Sequence, residues 1–174
     1  MRGDVVDMIV EQVKRRLEQA GTAAGVRLEV PVGVSGRHVH LSEWDCEALF
    51  GSGYRLTKSR DLGQPGQFAC EETVLLAGPR GALAYLRVLG PLRNKTQVEI
   101  SRTDCFQVGI PPVVRESGDL RGTPGAVLVG SRGSVVLVDG VIVAKRHVHM
   151  PAAQAAELGL ADGQGVSVVA GSGD

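Results

Sequence analysis

The sequence is organised around Arg37-His38-Val39-His40-Leu41-Ser42, whose first four residues recur as Arg146-His147-Val148-His149. These two copies contain all four histidines of the chain. On an extended strand the side chains alternate between faces, so both histidines of a copy project together while the valine points away. Each copy therefore predicts a strand that presents a pair of imidazoles on one face.

A pair of imidazoles on one strand face can bind a cation. Imidazole suits zinc, and a zinc held by two or three protein ligands keeps a position free for water or substrate. A single His-x-His pair is more often an ordinary surface pair, but two identical copies favour metal binding. We therefore predict a metal site that is open to chemistry.

The composition excludes several classes of function. The chain has 174 residues, 43% of them hydrophobic, which is enough for one full domain or two small ones. Because 19 basic residues balance 19 acidic ones and aromatic residues are only 3%, we expect no nucleic-acid partner. No run approaches the roughly 20 apolar residues of a membrane span, so no membrane association is expected. The odd number of cysteines, without Cys-x-x-Cys spacing, predicts reduced thiols in a cytoplasmic protein.

Residues 1–25 differ in character from the rest. The segment from Asp4 to Ala20 carries an apolar stripe at helical spacing, and it is followed by a small-residue linker that ends at Gly25. We predict an N-terminal amphipathic helix on a flexible tether. The helix either docks onto a partner or folds back on its own domain.

After this linker, short apolar runs separated by glycine and proline predict a mainly β protein with short helices. Ser42 is the predicted N-cap of a helix over residues 43–50, and Pro151 opens a helix over residues 152–158 that Gly159 closes. The predicted strands are Val26 to Val34, Glu72 to Ala77, Ala82 to Leu89, Thr96 to Ile100, Ala126 to Gly130, Ser134 to Val138, Val141 to Ala144 and Gly165 to Ala170.

A second, weaker repeat supports an internal duplication. Asp61-Leu62-Gly63-Gln64-Pro65-Gly66 precedes an apolar run and Gly78-Pro79-Arg80-Gly81. Asp119-Leu120-Arg121-Gly122-Thr123-Pro124-Gly125 likewise precedes an apolar run and Gly130-Ser131-Arg132-Gly133. Two related β units are the simplest interpretation, although Pro-Gly turns before strands recur in many β proteins.

Polar residues are also concentrated between the two histidine motifs. If the run from Arg87 to Arg102 is extended, alternation places one set of side chains on a single face: Arg93, Lys95, Gln97, Glu99 and Ser101. Glu99 could then complete a zinc sphere, and Arg93 could hold a phosphate or a carboxylate through its planar fork. Taken alone, these residues would equally fit a solvated strand face.

Several ordered motifs resemble the phosphate propanoyltransferases, also called PduL-type phosphotransacylases. The resemblance runs from about Val30 to Val168. The matching segments are residues 32–42, Asp61-Leu62-Gly63-Gln64-Pro65-Gly66-Gln67-Phe68-Ala69, Val88-Leu89-Gly90-Pro91, residues 96–104, Ser117-Gly118-Asp119-Leu120 and Arg146-His147-Val148-His149-Met150.

The resemblance implies a fold and an activity. The fold is two small β-barrels with short capping helices around a two-zinc site: residues 26–36 with 145–174 form the first barrel, and residues 37–144 form the second, with a small insert. The activity is transfer of an acyl group, propanoyl or another short chain, between coenzyme A and inorganic phosphate. Acyl-CoA and phosphate are thus the expected substrates, and a homo-oligomer is expected.

The resemblance also assigns roles to residues. His38, His40 and Glu99 would hold one zinc, and His147 with His149 the second. Arg93 would bind phosphate. Gln64, Gln67, Gln97 and Ser117 would line the pocket, while Ser35, Arg60, Arg87 and Leu89 would lie near coenzyme A, with Arg60 replacing the usual lysine. Our hypothesis is that the first zinc receives the coenzyme sulfur while the second, with Arg93, positions phosphate.

Two features of these relatives bear on the ends of the chain. They continue through further strands that carry another ligand of the second zinc, so the first barrel is expected to be incomplete here and the His147 and His149 site short of a protein ligand. Some relatives use an N-terminal helix to enter bacterial microcompartments. We accordingly expect a cytoplasmic protein that is a candidate for the lumen of such a compartment, with shell or core proteins as partners.

Two alternatives to acyl transfer remain open. A zinc hydrolase would use metal-bound water to cleave a thioester or a phosphoester. A non-catalytic, zinc-stabilised binding module would close the metal sphere with protein ligands.

Overall fold

The computed structural model of the protein describes residues 36–167. The predicted N-terminal helix and linker, the predicted strand Val26 to Val34, and residues 168–170 of the last predicted strand lie outside the described residues. The described chain falls into two compact units, residues 36–149 and residues 150–167. Among the helices of the described residues, none is both long and apolar enough to cross a membrane.

The protein is mainly β, as predicted. The strands are β1 (His38–Ser42), β2 (Lys58–Asp61), β3 (Phe68–Gly78), β4 (Gly81–Arg93), β5 (Gln97–Glu99), β6 (Val114–Arg115), β7 (Ala126–Val129), β8 (Ser134–Leu137) and β9 (Val141–Ala144). The helices are α1 (Glu43–Phe50), α2 (Arg102–Val108) and α3 (Ala152–Glu157).

All nine strands join one curled sheet in residues 36–149, in the order β6-β9-β5-β1-β4-β3-β7-β8, with β2 beside β3. At the centre of this sheet β1 lies between two partners. It runs parallel to β4, with Val39 opposite Val88, and antiparallel to β5, with Val39 opposite Val98. These three valines are fully buried in the core. Because side chains alternate along a strand, burial of the valines turns both histidines of β1 to the other face.

The sheet contains two halves with similar local structure. Val39-His40-Leu41-Ser42 leads into α1, and Val98-Glu99-Ile100-Ser101 leads into α2. Each serine is the N-cap of its helix and accepts a hydrogen bond from the backbone N–H three residues later. In both helices the next residue is a buried cysteine. The antiparallel pairing centred on Val39 and Val98 is the pairing that a two-fold relation between the halves requires.

The weak glycine-rich repeat has a structural counterpart in these halves. The hairpin tip Gly78-Pro79-Arg80-Gly81 packs on the end of α2, where the backbone N–H of Arg80 donates to the carbonyl of Val108. The tip Gly130-Ser131-Arg132-Gly133 packs on the end of α1, where the N–H of Arg132 donates to the carbonyl of Leu49. Each tip therefore satisfies a carbonyl that the helix end would leave unpaired.

The run from Arg87 to Arg102 is not one extended strand. β4 ends at Arg93, a turn follows at Asn94 and Lys95, and β5 begins at Gln97. Lys95 is therefore exposed in a turn, and Ser101 caps α2 rather than facing the histidines. The predicted alternation holds only for Gln97 and Glu99. Arg93 approaches the same region from the neighbouring strand.

The prediction of a strand at the second histidine motif is wrong, because β9 ends at Ala144 and residues 146–149 are not in a strand. The other predicted elements agree with the structure except where noted. Helix α1 has the predicted bounds, and α3 is one residue shorter than expected, with Gly159 at φ 63° after it. β2, β6 and α2 were not predicted. Residues 165–167, the described part of the last predicted strand, are not in a strand.

Substitution of Gly130 by alanine tests the packing of a hairpin tip on a helix end. A Cβ at this position would overlap the carbonyl oxygen of Leu49. Overpacking of this kind costs about 1–3 kcal/mol, so G130A should lower the urea midpoint, whereas G63A, whose Cβ would meet no atom within 4 Å, should not. Equal midpoints for the two variants would contradict the packing described.

Candidate functional site

The pairing of β1 with β5 brings three candidate metal ligands together. His38 lies opposite Glu99, and His40 lies opposite Gln97. Within the described residues, one ligand atom from each of His38, His40 and Glu99 lies within 4.8 Å of the other two. Zinc bonds of about 2.0–2.2 Å would hold such atoms roughly 3–4 Å apart, so only a small contraction is needed. The donor set of two imidazoles and a carboxylate fits zinc.

Hydrogen bonds orient the His38 ring. Its Nδ1 lies 2.9 Å from the carbonyl oxygen of Gly36, and its Nε2 lies 3.5 Å from Oε2 of Glu99. Burial lowers the pKa of His38, but the hydrogen bond to Glu99 and the Gly36 carbonyl outweigh it, so the pKa is raised overall. Burial raises the pKa of Glu99, but the hydrogen bond and charge of His38, with smaller contributions from His40 and Gln97, outweigh burial. The pKa of Glu99 is therefore lowered overall. A ring that donates Nδ1–H to a carbonyl leaves Nε2 available as a ligand.

His40 is the most buried of the three, at 4% exposure. Its Nε2 lies 3.0 Å from Nη2 of Arg93, which can only donate. Burial, followed by the positive charge of Arg93, lowers the pKa of His40 to about 3. Among the described residues its Nδ1 finds no hydrogen-bond partner. A neutral imidazole that accepts the hydrogen bond of Arg93 carries its proton on Nδ1, so the lone pair that a metal would need is on Nε2, the nitrogen that Arg93 contacts.

A hydrogen-bond network links Arg93 to Glu99. Arg93 Nη1 donates to Oγ of Ser117 at 3.2 Å. The side-chain amide of Gln97 donates to the same Oγ at 2.9 Å and to Oε1 of Glu99 at 2.7 Å. The backbone N–H of Gly118 donates to Oε1 of Gln97 at 2.7 Å. Arginine, hydroxyl, amide and carboxylate are thus held in one chain beside the histidines.

The second histidine pair repeats the local geometry of the first. His147 Nδ1 lies 2.7 Å from the carbonyl oxygen of Lys145, as His38 Nδ1 lies close to Gly36. The Nε2 atoms of His147 and His149 are 2.9 Å apart. Burial and then His147 lower the pKa of His149, while the charge of Glu99 opposes this shift. The two pairs are therefore close enough for Glu99 to act electrostatically on both.

Three of the residues expected near coenzyme A lie on the histidine face of the sheet. Arg87 is opposite His38 and Leu89 is opposite His40 on β4. Arg60 is opposite Ala69 on β3, and Ala69 is in turn opposite Leu89. The Arg87 guanidinium donates to the carbonyl oxygens of Cys70 at 3.0 Å and Glu71 at 2.8 Å. Ser35 lies outside the described residues.

Gln64 and Gln67 lie in the loop between β2 and β3. The backbone N–H of Gln67 donates to the carbonyl of Gln64 at 3.1 Å. Oε1 of Gln67 is buried, and it has no hydrogen-bond partner within residues 36–167. Within the described residues, no hydrogen bond links the side chain of Gln64 or Gln67 to Arg93. Of the four expected pocket residues, Gln97 and Ser117 are the two that belong to the Arg93 network.

Sequence patterns did not reveal two contributors to this arrangement. Arg37, the first residue of the histidine motif, forms an ion pair of 2.9 Å with the buried Asp104 at the start of α2. Gly118 contributes only its backbone N–H, which donates to Gln97, and any residue other than proline could supply such a group. Both belong to motifs that were singled out, and only tertiary structure gives them a partner.

Candidate metal ligands beside an arginine fork are typical of an enzyme that acts on an anionic substrate. A sequence profile of the phosphate propanoyltransferase family matches residues 31–174. The chain therefore belongs to this family, and it is an acyltransferase.

Individual relatives are similar over most of the chain. A curated phosphate propanoyltransferase of Thermotoga maritima is 50% identical over 167 residues, which cover 96% of this chain and 80% of the relative. One of Rhodopseudomonas palustris is 49% identical over 179 residues, covering 98% and 79%. One of Rhodobacter capsulatus is 54% identical over 140 residues, covering 80% and 65%.

The buried His40 predicts how stability depends on pH in the metal-free protein. Its pKa is about 3 when folded and near 6.5 when unfolded, so the unfolded state binds more protons between these values. Stability should therefore fall as pH drops below 6.5, by up to about 1.4 kcal/mol per pH unit from this group. The raised pKa of His38 affects stability only above pH 6.5, the pKa of the unfolded state. There the stabilisation from His38 is lost as the pH rises.

Urea unfolding between pH 4.5 and 7 in the presence of a chelator measures this effect. His40→Gln removes the titrating group and should flatten the pH dependence relative to the unsubstituted protein. If both proteins lost stability equally as the pH fell, His40 would not be the buried neutral group described.

Proposed function

We propose that this chain interconverts acyl-CoA and phosphate with acyl phosphate and coenzyme A, using propanoyl or another short acyl chain at a two-zinc site. The observation that carries the proposal is the cluster of His38, His40 and Glu99, with its ligand atoms within 4.8 Å of one another and Arg93 bonded to His40. Family membership supports the reaction type.

The residues that would hold zinc follow from this cluster. His38, His40 and Glu99 would hold one ion, and His147 with His149 would contribute to a second. Bound zinc would supply a Lewis acid for the thioester carbonyl and a soft partner for the departing thiolate. The neutral state of His40 and the carbonyl-bound Nδ1 atoms of His38 and His147, which leave Nε2 of those rings available, support these assignments.

Arg93 would bind the phosphate. Its fork presents several donors in one plane, which suits two oxygens of a phosphate. Ser117 holds one terminal nitrogen, and the other, which contacts His40 Nε2, would turn to a phosphate oxygen once zinc occupies that lone pair. A phosphate oxygen then attacks the thioester carbonyl, the C–S bond breaks, and the proton of hydrogen phosphate leaves with the coenzyme thiol.

Coenzyme A would lie along the sheet face beside β1. Adjacent strands are about 4.8 Å apart, so the row from Arg60 through Leu89 to His40 spans roughly 14 Å. An extended ligand with anionic groups at one end fits this row, with its sulfur near the histidines and Arg60 at the far end. Arg87, Leu89 and Ser35 would make further contacts, and Gln64, Gln67, Gln97 and Ser117 would line the pocket.

The release of free thiol from propanoyl-CoA tests the proposed reaction. A phosphotransacylase should release thiol only when phosphate or arsenate is present, because one of these anions is the acyl acceptor. Thiol release that is independent of both anions would instead identify a hydrolase.

The same assay tests the role of Arg93. Arg93→Ala should lower the phosphate-dependent rate roughly 100-fold or more, since it removes preorganised donors, while zinc content stays unchanged. The matched control is Arg132→Ala, whose side chain is exposed on a hairpin tip. Loss of zinc from R93A would show that Arg93 supports the metal rather than the phosphate.

The remaining proposals concern the domain organisation of the chain and its N-terminal segment. Residues 26–36 with 145–174 would form one barrel, beside a second formed by residues 37–144. The N-terminal helix would carry a cytoplasmic homo-oligomer into a bacterial microcompartment by docking on shell or core proteins.

Deletion of residues 1–25 tests the targeting role. The shortened protein should keep its phosphate-dependent activity and fail to co-purify with microcompartments. Collapse of activity would show that the helix belongs to the catalytic fold.

A further inference from the structure

The Ser117 hydroxyl is held by two donors. Arg93 Nη1 donates to its Oγ at 3.2 Å, and Gln97 Nε2 donates to it at 2.9 Å. A guanidinium has no acceptor, so the direction of the first bond is certain. The second direction follows from the rest of the Gln97 amide, whose oxygen accepts the Gly118 N–H at 2.7 Å and whose nitrogen also faces a Glu99 oxygen at 2.7 Å.

These two bonds determine what Ser117 can still do. A hydroxyl has two acceptor lone pairs and one proton, and here both lone pairs are engaged. Within residues 36–167 the hydroxyl donates no hydrogen bond. The residue is exposed, beside the Arg93 fork. Its remaining capacity is therefore to donate a proton to an acceptor that arrives from solution.

The same surroundings argue against Ser117 as a nucleophile. An attacking serine must pass its proton to a base. The two side chains bonded to this hydroxyl are both donors. The nearby Glu99 carboxylate has one oxygen bonded to Gln97 and the other directed to His38 at 3.5 Å. No base is therefore bonded to the Ser117 hydroxyl.

We propose that Ser117 binds the phosphate substrate directly, by donating its hydroxyl proton to a phosphate oxygen held by Arg93, and that Gln97 is the positioning residue that enforces this direction. This inference rests on the proposed function. The Ser117 hydroxyl would be a third donor beside the two terminal nitrogens of Arg93. The site would then favour an anion that has a further oxygen free to accept this hydrogen bond. Gln97 has a second effect, because the same amide nitrogen orients Glu99.

Steady-state kinetics of the zinc-loaded enzyme test this assignment. Ser117→Ala should raise the KM for phosphate about 10- to 100-fold, the value of one hydrogen bond to a charged group, and leave the KM for propanoyl-CoA and the zinc content unchanged. Ser117→Thr keeps the hydroxyl and should restore the phosphate KM to within a few-fold of the unsubstituted enzyme. Ser131→Ala, on an exposed hairpin tip, is the matched control.

A purely structural role for Ser117, acting through Arg93, gives a different result. In an Arg93→Lys background, a Ser117 that binds phosphate itself should still give a 10- to 100-fold increase in phosphate KM on replacement by alanine. If S117A has no further effect in that background, Ser117 only positions Arg93 and the proposal is wrong.

Mass spectrometry after mixing with propanoyl-CoA in the absence of phosphate tests whether Ser117 instead acts as a nucleophile. We expect no acyl group on Ser117, and an acyl adduct that S117A abolishes would overturn the donor assignment. Thiol release and the phosphate KM distinguish failure of the proposed function from failure of the Ser117 inference. Absence of phosphate-dependent thiol release in the unsubstituted enzyme would refute the proposed function, whereas normal release with an unchanged phosphate KM in S117A would refute only the Ser117 inference.

Discussion

The antiparallel pairing of β1 with β5 is the constraint on which the rest of the site depends. Val39 and Val98 occupy the buried face of this pair, which obliges His38, His40, Gln97 and Glu99 to share the other face. A slip of one residue would exchange the two faces and bury the polar groups in the core. The core therefore enforces the arrangement of the candidate ligands.

The two-fold similarity of the halves explains how one scaffold produces an asymmetric site. His40 and Glu99 occupy equivalent positions before their capping serines, and His38 and Gln97 are equivalent in the same way. One half thus supplies two imidazoles, while the other supplies a carboxylate and an amide. Because the Gln97 amide bonds to Glu99 and Ser117, it orients its neighbours instead of adding a fourth ligand.

The sequence was most informative where a signal is local. Alternation predicted the shared face of His38 and His40, and Ser42 predicted the start of α1 at its observed position. Prediction failed where the signal was weak or non-local. The turn at Asn94 and Lys95 has neither glycine nor proline, so the alternation of side chains predicts one strand through the run from Arg87 to Arg102.

Helix α2 and the contacts of Ser117 show the same limit. Thr103 and Asp104 have low helix propensity, and the capping box of Ser101 with Asp104 carries an aspartate where glutamate or glutamine is usual, which weakens the signal of this helix start. The bonds of Ser117 to Arg93 and Gln97 join residues 24 and 20 positions apart, a separation that no local pattern encodes.

Anomalous X-ray diffraction from crystals of the zinc-loaded protein shows directly whether His38, His40 and Glu99 share one metal ion. We expect an anomalous peak about 2.0–2.2 Å from a nitrogen of His38, a nitrogen of His40 and an oxygen of Glu99, with Arg93 beside it. Zinc that binds elsewhere while these three side chains keep their mutual contacts would contradict this expectation.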